Sequence, residues 1–482
     1  MAEPRYLIVH GHFYQPPRES PWTGLVSPES GAAPFANWNE RILAECYAVN
    51  RRARVSDGNV VHLRNNYESI DFNFGPTLMS WIERHDIWTY RAIIAADAAR
   101  NIGARGNAIA QSYNHSILPL LTPAERELQI AWGLTDFRVR FGRDADAIWL
   151  PECAVDDDTL ESIAAAGLAF ALLGSDQGRY SGDNAGGRGA GPFLWRGVAG
   201  EMAVFRFDRE LSHTLSHGER PADGQILASI VIKAMLELAP GEALLLASDG
   251  EFFGHHRHTG ADELAAALEI VAAHEGLAIT NCSSYLAAHH AAGAFTNPAP
   301  SAWSCPHGID RWCLDCGCRL DSRTNQAWRT PLRAAMEFVS NHAWSVYERF
   351  ASTMLDDPWK ALRESIVLAL TPSDSVRDEF FARFKVTDEV RQIRLARLFE
   401  MQRAAGAALT SCAWFFDDFA GPEGRIALRW AARAVELAAE LSPSIESDLL
   451  ERLRAIHSNR REIADAASLY LSLKTREARG RV

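Results

Sequence analysis

From Tyr6 to about Thr280 the chain alternates short apolar runs with longer stretches in which apolar positions recur every three or four residues. The runs at 7–10, 108–111, 148–150, 170–173, 203–207, 244–247 and 277–280 are nearly continuous in Val, Ile, Leu, Ala and Phe. Such runs predict strands buried on both faces. The stretches 40–52, 76–84, 123–141, 156–166, 224–238 and 261–273 carry the helical period and predict the connecting helices. Strand then helix, repeated about seven times, predicts an α/β fold. The expected architecture is an incomplete (β/α)7 barrel followed by a C-terminal α-helical bundle, with any site built on the loops at the strand C-termini.

Past the turn-rich segment Asn297-Pro-Ala-Pro-Ser301 the period is helical almost to the end, at 329–350, 358–370, 374–384, 388–405, 423–441 and 445–473. The expected organisation is a barrel over 1–296, a Cys-rich connecting loop over 297–327 and a helical bundle over 328–482 that completes the cleft. Residues from Lys474 onward have little apolar content and are expected to fray. Between Gly174 and Gly200 the stretch Ser181-Gly-Asp-Asn-Ala-Gly-Gly-Arg-Gly-Ala-Gly-Pro192 is too rich in glycine for a helix and predicts an exposed loop. A lid over the cleft and a passive insertion both fit it.

With 482 residues, 47% of them hydrophobic, the chain can bury a large core in two or three domains. A formal net charge of −12 argues against a phosphate-backbone binder, so no nucleic-acid partner is expected. No run of about 18 uncharged apolar residues occurs, and the first residues lead straight into a strand, so no membrane partner and a cytoplasmic location are expected. Fourteen Trp and ten Tyr make sugar-stacking platforms available, although core packing accounts for most aromatics. Eight cysteines include a cluster at Cys305, Cys313, Cys316 and Cys318; without an export signal, disulfides are not expected.

Two strand ends carry the candidate chemistry. Ala147-Ile-Trp-Leu-Pro-Glu152-Cys-Ala and Leu244-Leu-Leu-Ala-Ser-Asp249-Gly-Glu251-Phe-Phe-Gly-His-His256 each close an apolar run on a carboxylate beside Pro or Gly. Two such acids suit glycosidic chemistry, where one attacks the anomeric carbon and the other protonates the departing oxygen. Strand-end acids also cap helices and pair with arginines, and 61 acidic residues offer many candidates for that role. His10-Gly-His12 ends the first strand with two imidazoles on one side; metal binding, sugar binding and plain burial all fit. Glu68 lies in a polar loop before a helix that opens on Pro76, His115 follows the 108–111 strand, and Asp208 and His213 follow the 203–207 strand. Asp208 is a sugar-hydroxyl candidate with a surface ion pair as the alternative.

His10, His12, Gln15 and Pro16, then His115 before Leu118-Pro-Leu, then Trp149-Leu-Pro-Glu152, then Asp249-x-Glu251-x-Phe253-Gly-His255 together resemble glycoside hydrolase family 57. Within it they are similar to the branch that also carries a domain called DUF3536, and the resemblance spans most of the chain. It implies a (β/α)7 barrel, an α-glucan substrate, retention of configuration, no cofactor and no catalytic metal. It also implies Glu152 as nucleophile and Asp249 as general acid/base. Amylases, glucanotransferases, branching enzymes and α-galactosidases all occur in the family. His10, His12, Gln15, Glu68, His115, Trp149, Asp208, Glu251 and His255 are the expected substrate-binding residues, with Glu251 also expected to support Asp249. The Gly174–Gly200 loop is looser and the helical portion shorter than the branch leads one to expect, which leaves hydrolysis and transfer both open.

Two segments stand outside this pattern. Ser411-Cys-Ala-Trp414-Phe-Phe-Asp417-Asp418 puts adjacent aromatics before two acids. Trp414 is a candidate for stacking on a sugar and Asp417 for bonding it; a core Trp with a helix-end acid is the alternative. Trp303-Ser-Cys305-Pro-His307-Gly-Ile-Asp-Arg311-Trp-Cys313-Leu-Asp-Cys316-Gly-Cys318 offers more soft ligands than tetrahedral zinc needs. A reduced loop with His307 and Arg311 facing the glycan is the preferred reading, and zinc on Cys305, His307, Cys313, Cys316 and Cys318 the alternative. Two other functions compete: a zinc-dependent deacetylase- or mannosidase-like enzyme using His10, His12 and Asp249, and a non-catalytic glycan-binding protein.

Overall fold

The computed structural model describes residues 3–57, 60–99, 105–182, 185–218, 222–291 and 293–479. The chain forms two compact units. The first comprises Met1–Gln15, Pro28–Gln111 and Phe137–Trp303; the second comprises Pro16–Ser27, Ser112–Asp136 and Ser304–Val482.

The first unit is mixed α/β. Its first strand, Arg5–Phe13, pairs in parallel along its length with Ala243–Asp249. On its other side it pairs with Leu277–Ile279 near its start and with Asp71–Phe74 near its end. A parallel bridge from Phe72 to Ala108 leads to Ala110–Gln111, which pairs with Ile148–Trp149. A second bridge, Ala147 to Phe170, leads to Phe170–Gly174, which pairs with Glu201–Phe207. From there Asp208 donates its backbone N–H to Leu245, while Ala190 accepts from Arg206 and donates to Ala243, so the parallel pairings return to the Ala243–Asp249 strand. The ladders are thus broken at single bridges and at the Ala190 insertion.

Alternate residues explain why these runs are strands. Phe170 and Leu172, then Ala203, Phe205 and Phe207, then Ala243, Leu245 and Ala247 fall two apart and join Ile8, Ile109 and Trp149 in one buried cluster. Burying each of the large side chains contributes about 1.5–3 kcal/mol, and a one-residue slip would turn the whole set away from that cluster.

Several expectations are corrected. The helix expected over 40–52 is three pieces, Trp38–Ile42, a wide π-type turn at Leu43–Tyr47, and Ala48–Asn50. The stretch read as a polar loop at 63–76 contains strand Asp71–Phe74, and before it Val60–Arg64 pairs antiparallel with Ala53–Asp57. Helices Ile87–Ala99, Arg209–His217 and Cys282–Ala288 were not anticipated. The first is apolar nearly all round, so no stripe marks it, and the other two are short. The glycine-dense region is part of a sheet: Phe193–Arg196 pairs with Glu201–Phe207 and with Gly293–Thr296, which in turn pairs with Arg179–Gly182. Arg206, buried, gathers the carbonyls of Ala185, Gly187 and Gly189 at 2.7, 2.6 and 2.8 Å, so the loop is tied down by its own backbone. Asp183 and Asn184 lie outside the described residues.

The second unit is helical, with Arg329–Ala351, Glu389–Ala407 and Pro422–Ala439 its longest helices after residue 328. The domain boundaries expected at 296 and 328 are too simple, because two earlier segments fold with these helices. Trp430 donates its indole N–H to Pro17 at 3.0 Å, Trp22 to Glu436 at 2.7 Å and Trp132 to Leu362 at 3.0 Å. The stretch 445–473 is two helices, Ile445–Arg454 and Ala466–Arg479, and the second runs on through the residues expected to fray as far as Arg479. Residues 480–482 lie outside the described residues. Among the described residues no helix is long and apolar enough to cross a membrane.

Candidate active site

Strand register brings the polar residues of the first unit to one level. His12 is the partner of Asn73 on one side and of Asp249 on the other, and Gln111 is the partner of Trp149. All are at strand C-termini, where parallel strands deliver their loops to a common side. His10 and His12, two apart, face the same way.

Asn73 organises this level. Its Oδ1 lies 3.0 Å from His10 Nε2, and its Nδ2 lies 2.9 Å from His12 Nδ1 and 2.8 Å from Gln111 Oε1. An amide nitrogen only donates, so His12 accepts at Nδ1 and carries its ring proton on Nε2, while His10 donates from Nε2. Burial lowers His10 to about 4; burial, then the neighbouring His10, lowers His12 to about 3, both against the Asn73 hydrogen bond. Both imidazoles are therefore neutral at pH 7 and lie parallel to Trp149, ring centroids 4.7 and 4.9 Å away. His10 Nδ1, Gln111 Nε2 and Trp149 Nε1 are buried without a partner among the described residues. An unpaired buried polar atom costs about 1–3 kcal/mol.

Glu152 sits in a strained turn. After Trp149 the chain folds through Pro151–Cys153 with Glu152 at φ 59° and Cys153 at φ 47°, both in the left-handed region. Each such residue costs of order 1 kcal/mol or more and persists only where its surroundings enforce it. Here the Cys153 and Ala154 N–H groups close back on Leu150 and Pro151, Gln177 holds the Cys153 carbonyl at 2.7 Å, and Trp303 donates its backbone N–H to the Glu152 carbonyl at 2.9 Å. The Trp303 indole then donates to Glu152 Oε2 at 3.1 Å. The half-buried carboxylate is thereby aimed and bonded.

Asp249 ends its strand with its side chain open to solvent. Desolvation by the surrounding protein, then the carboxylates of Glu251 and Glu152, hold it well above the usual carboxylate range. Glu251 is buried, accepting from the Tyr47 hydroxyl at 2.6 Å, from the Tyr14 backbone at 3.1 Å and from Gln15. Burial outweighs those hydrogen bonds and raises it to about 7. The π-type turn is what brings Tyr47 here, together with Cys46, whose thiol donates to the Gly250 carbonyl.

Gly250 makes the two acids compatible with the core beneath them. A Cβ there would fall 2.2 Å from Cδ1 of the buried Phe13 ring. Gly250→Ala is expected to destabilise the protein by roughly 1–3 kcal/mol, read as a lower urea midpoint at unchanged m-value.

The remaining candidates separate. Gln15, Trp149 and Glu251 join the level of Glu152 and Asp249. His255 binds the Glu45 carboxylate, itself paired with Arg41 at 3.1 Å. Glu68 is exposed on the Asn66–Glu68 turn, which precedes its strand and so lies at the opposite end from Asn73. Asp208 realises the ion-pair alternative: it caps Arg209–His217 through the Leu211 N–H and pairs with Arg188 at 2.7 Å. His115 belongs to the second unit, buried, its Nδ1 2.6 Å from the Ser411 hydroxyl. Trp414 is fully buried in that unit, donating to the Arg329 carbonyl at 3.2 Å, and Asp417 accepts the backbone N–H groups of Leu320 and Asp321 at 2.8 and 2.6 Å. Both are thus internal to the helical unit, where they hold a loop and a core. Arg311, expected to face a glycan, is buried over the Phe415 ring and donates to Ser304. Among the described residues His10, His12 and Asp249 do not bring three ligand atoms together, which weighs against the metal-enzyme alternative. Asn73, Gln111, Tyr47 and Trp303 were missed.

Residues 63–296 match the model of glycosyl hydrolase family 57, and residues 324–478 match a domain of unknown function, DUF3536. No curated protein matches the chain in sequence. Among solved structures, an exo-type maltose-forming amylase from Pyrococcus sp. ST04 is similar over 97% of this chain and 82% of its own, at 14% identity and a TM-score of 0.68. A GH57-type branching enzyme from Pyrococcus horikoshii is similar over 98% of this chain and 94% of its own, at 15% identity and a TM-score of 0.56. A 4-alpha-glucanotransferase from Thermococcus litoralis is similar over 90% of this chain and 60% of its own, at 16% identity and a TM-score of 0.54. At such identities these likenesses speak for the fold. With the family 57 model over residues 63–296 and the DUF3536 model over residues 324–478, the chain belongs to glycosyl hydrolase family 57 and is a glycoside hydrolase.

Proposed function

We propose that this protein cleaves or transfers α-glucan chains with retention of configuration, with Glu152 as nucleophile and Asp249 as general acid/base on an incomplete (β/α)7 barrel. The observation that carries the reading is the contrast between the two carboxyls. Glu152 is held by an indole N–H and aimed by a strained turn, while Asp249 is pushed well above the ordinary range beside two other carboxylates. A carboxylate aimed and hydrogen-bonded suits the nucleophile, and a carboxyl that favours its proton suits the general acid.

In the first step Glu152 attacks the anomeric carbon, and the Asp249 proton goes to the departing glycosidic oxygen, leaving a glycosyl ester on Glu152. In the second, ionised Asp249 takes a proton from water or from an acceptor sugar hydroxyl, whose oxygen displaces Glu152. Water gives hydrolysis and a sugar gives transfer. The α-glucan assignment is supported by the family and by its structural neighbours, an amylase, a branching enzyme and a glucanotransferase. Incubation with a maltooligosaccharide tests it: reducing ends rise under hydrolysis, chain lengths redistribute under transfer, and neither change would overturn the assignment.

Glu251 sets the alkaline side of the pH profile. Above about pH 7 it is ionised, and its charge helps keep the proton on Asp249. Glu251→Gln removes that charge, so the alkaline limb of kcat/KM is expected to move to lower pH by about one unit. Stability follows the opposite sense to a salt-bridged acid. Glu251 holds its proton to about 7 when folded, against 4.5 ordinarily, so the native state binds more protons between these values. Stability from this group is lost as pH rises from 4.5 through 7, by roughly 3 kcal/mol. In Glu251→Gln that decline should shrink in urea titrations at pH 4.5 and 8.

A further inference from the structure

We infer that Cys305, His307, Cys316 and Cys318 of the helical unit form a tetrahedral zinc site. Their ligand atoms all lie within 4.8 Å of one another. Cys305 Sγ is 3.8 Å from Cys318 Sγ, and His307 Nδ1 is 3.5 Å from Cys318 Sγ and 3.9 Å from Cys305 Sγ. With zinc at about 2.3 Å from sulfur and about 2.0–2.1 Å from nitrogen, a tetrahedron has S···S edges of about 3.8 Å and S···N edges of about 3.6 Å. The three measured edges are those of a single-ion site. An iron–sulfur cluster, with several metal atoms between its cysteines, would hold the sulfurs much farther apart.

Local chain geometry serves convergence. The ligands come as Cys-x-His and Cys-x-Cys, and Gly317, between the last two cysteines, has φ +82°, which lets the backbone turn both sulfurs toward one point. Gly308, next to His307, is also left-handed at φ 77°. Cys313 is excluded from the set: its thiol donates to the Ile309 carbonyl one turn back at 3.8 Å.

Charge supports the same conclusion. Arg329 is fully buried, with one guanidinium nitrogen 3.7 Å from Cys316 Sγ and another 2.9 Å from the Cys318 carbonyl. Three thiolates, one neutral imidazole and Zn²⁺ carry a net charge of −1, which the arginine balances, and its N–H to sulfur is the kind of outer contact that orients a metal ligand. Binding releases the three thiol protons to solvent and changes no oxidation state. The ion would pin a stretch whose regular structure before Arg329 is the short turn Asp310–Trp312, and so fix the start of helix Arg329–Ala351.

The test uses the full chain, purified without chelator, by elemental analysis and zinc-edge X-ray absorption. The expected result is one zinc per chain with three sulfurs and one imidazole nitrogen, retained in Cys313→Ser and in Glu152→Gln. Cys318→Ser should lose at least 100-fold in zinc affinity by competition with a chromogenic chelator. Should that variant not fold, cobalt substitution of the unmodified chain gives the same information through thiolate-to-cobalt charge-transfer bands. The inference is overturned by protein that stays zinc-free after one equivalent of zinc and desalting, by a Cys305–Cys318 disulfide in mass spectrometry, or by a zinc shell lacking sulfur. None of these outcomes touches the proposed glycosidase reading, which Glu152→Gln tests separately.

Discussion

Glu152→Gln is expected to lower kcat/KM on a maltooligosaccharide by roughly 10⁴-fold or more, a loss of at least ~5.4 kcal/mol in transition-state stabilisation. The amide keeps the shape of the side chain and an oxygen to accept the Trp303 indole N–H, so the left-handed turn and the fold should survive. What disappears is the negative charge facing the developing oxocarbenium ion and the oxygen that forms the ester. Melting within a few degrees of the parent protein, alongside the lost turnover, separates chemistry from stability. In Glu152→Ala, where the shortened side chain leaves room beside the sugar, azide should take the place of the carboxylate and release the inverted β-glycosyl azide. Full activity in Glu152→Gln would end the assignment.

Asp249→Asn should be nearly as damaging on natural substrate, about 10²–10⁴-fold, but its signature differs. Desolvation by the surrounding protein and the neighbouring Glu251 and Glu152 carboxylates already favour the protonated form of this carboxyl, so a neutral amide suits the site. The deficit should therefore be chemical and should depend on the leaving group. A dinitrophenyl α-glycoside, whose phenolate leaves unaided, should form the glycosyl ester almost normally and then accumulate it, because no base remains to activate water. A burst of phenolate followed by slow turnover is the expected trace, and azide should accelerate the second step with retained α-configuration. The alkaline limb of the pH profile should vanish with the group that produces it. Equal losses on activated and natural substrates would contradict an acid/base role.

The parts of this arrangement legible in the sequence were those where a long apolar run ends on a polar residue. His10, His12, Glu152 and Asp249 stand out because Arg5–Phe13 and Ala243–Asp249 are continuous buried strands and Trp149-Leu-Pro marks a turn. Asn73 and Gln111 follow the same rule but end strands of four and two residues, too short to show a period. Trp303 reaches Glu152 only because Ser301 bridges Val155 far along the chain, a pairing no local pattern encodes. Tyr47 depends on a π-type turn in what reads as an ordinary amphipathic helix. Trp414 misled for the opposite reason: aromatics beside acids suggest a binding surface, whereas here the acid ties down a loop and the indole fills the bundle. The domain boundaries failed because Pro16–Ser27 and Ser112–Asp136 carry tryptophans whose partners lie some 230 to 410 residues later.

The most direct test of the central claim is covalent trapping. A 5-fluoro-α-maltosyl fluoride slows both steps but leaves the first faster, so the glycosyl ester should accumulate and appear as a single mass increment. Proteolysis and sequencing should place it on Glu152, with no label in Glu152→Gln. Label on another carboxylate, or a β-configured first product in the unmodified enzyme, would contradict the account.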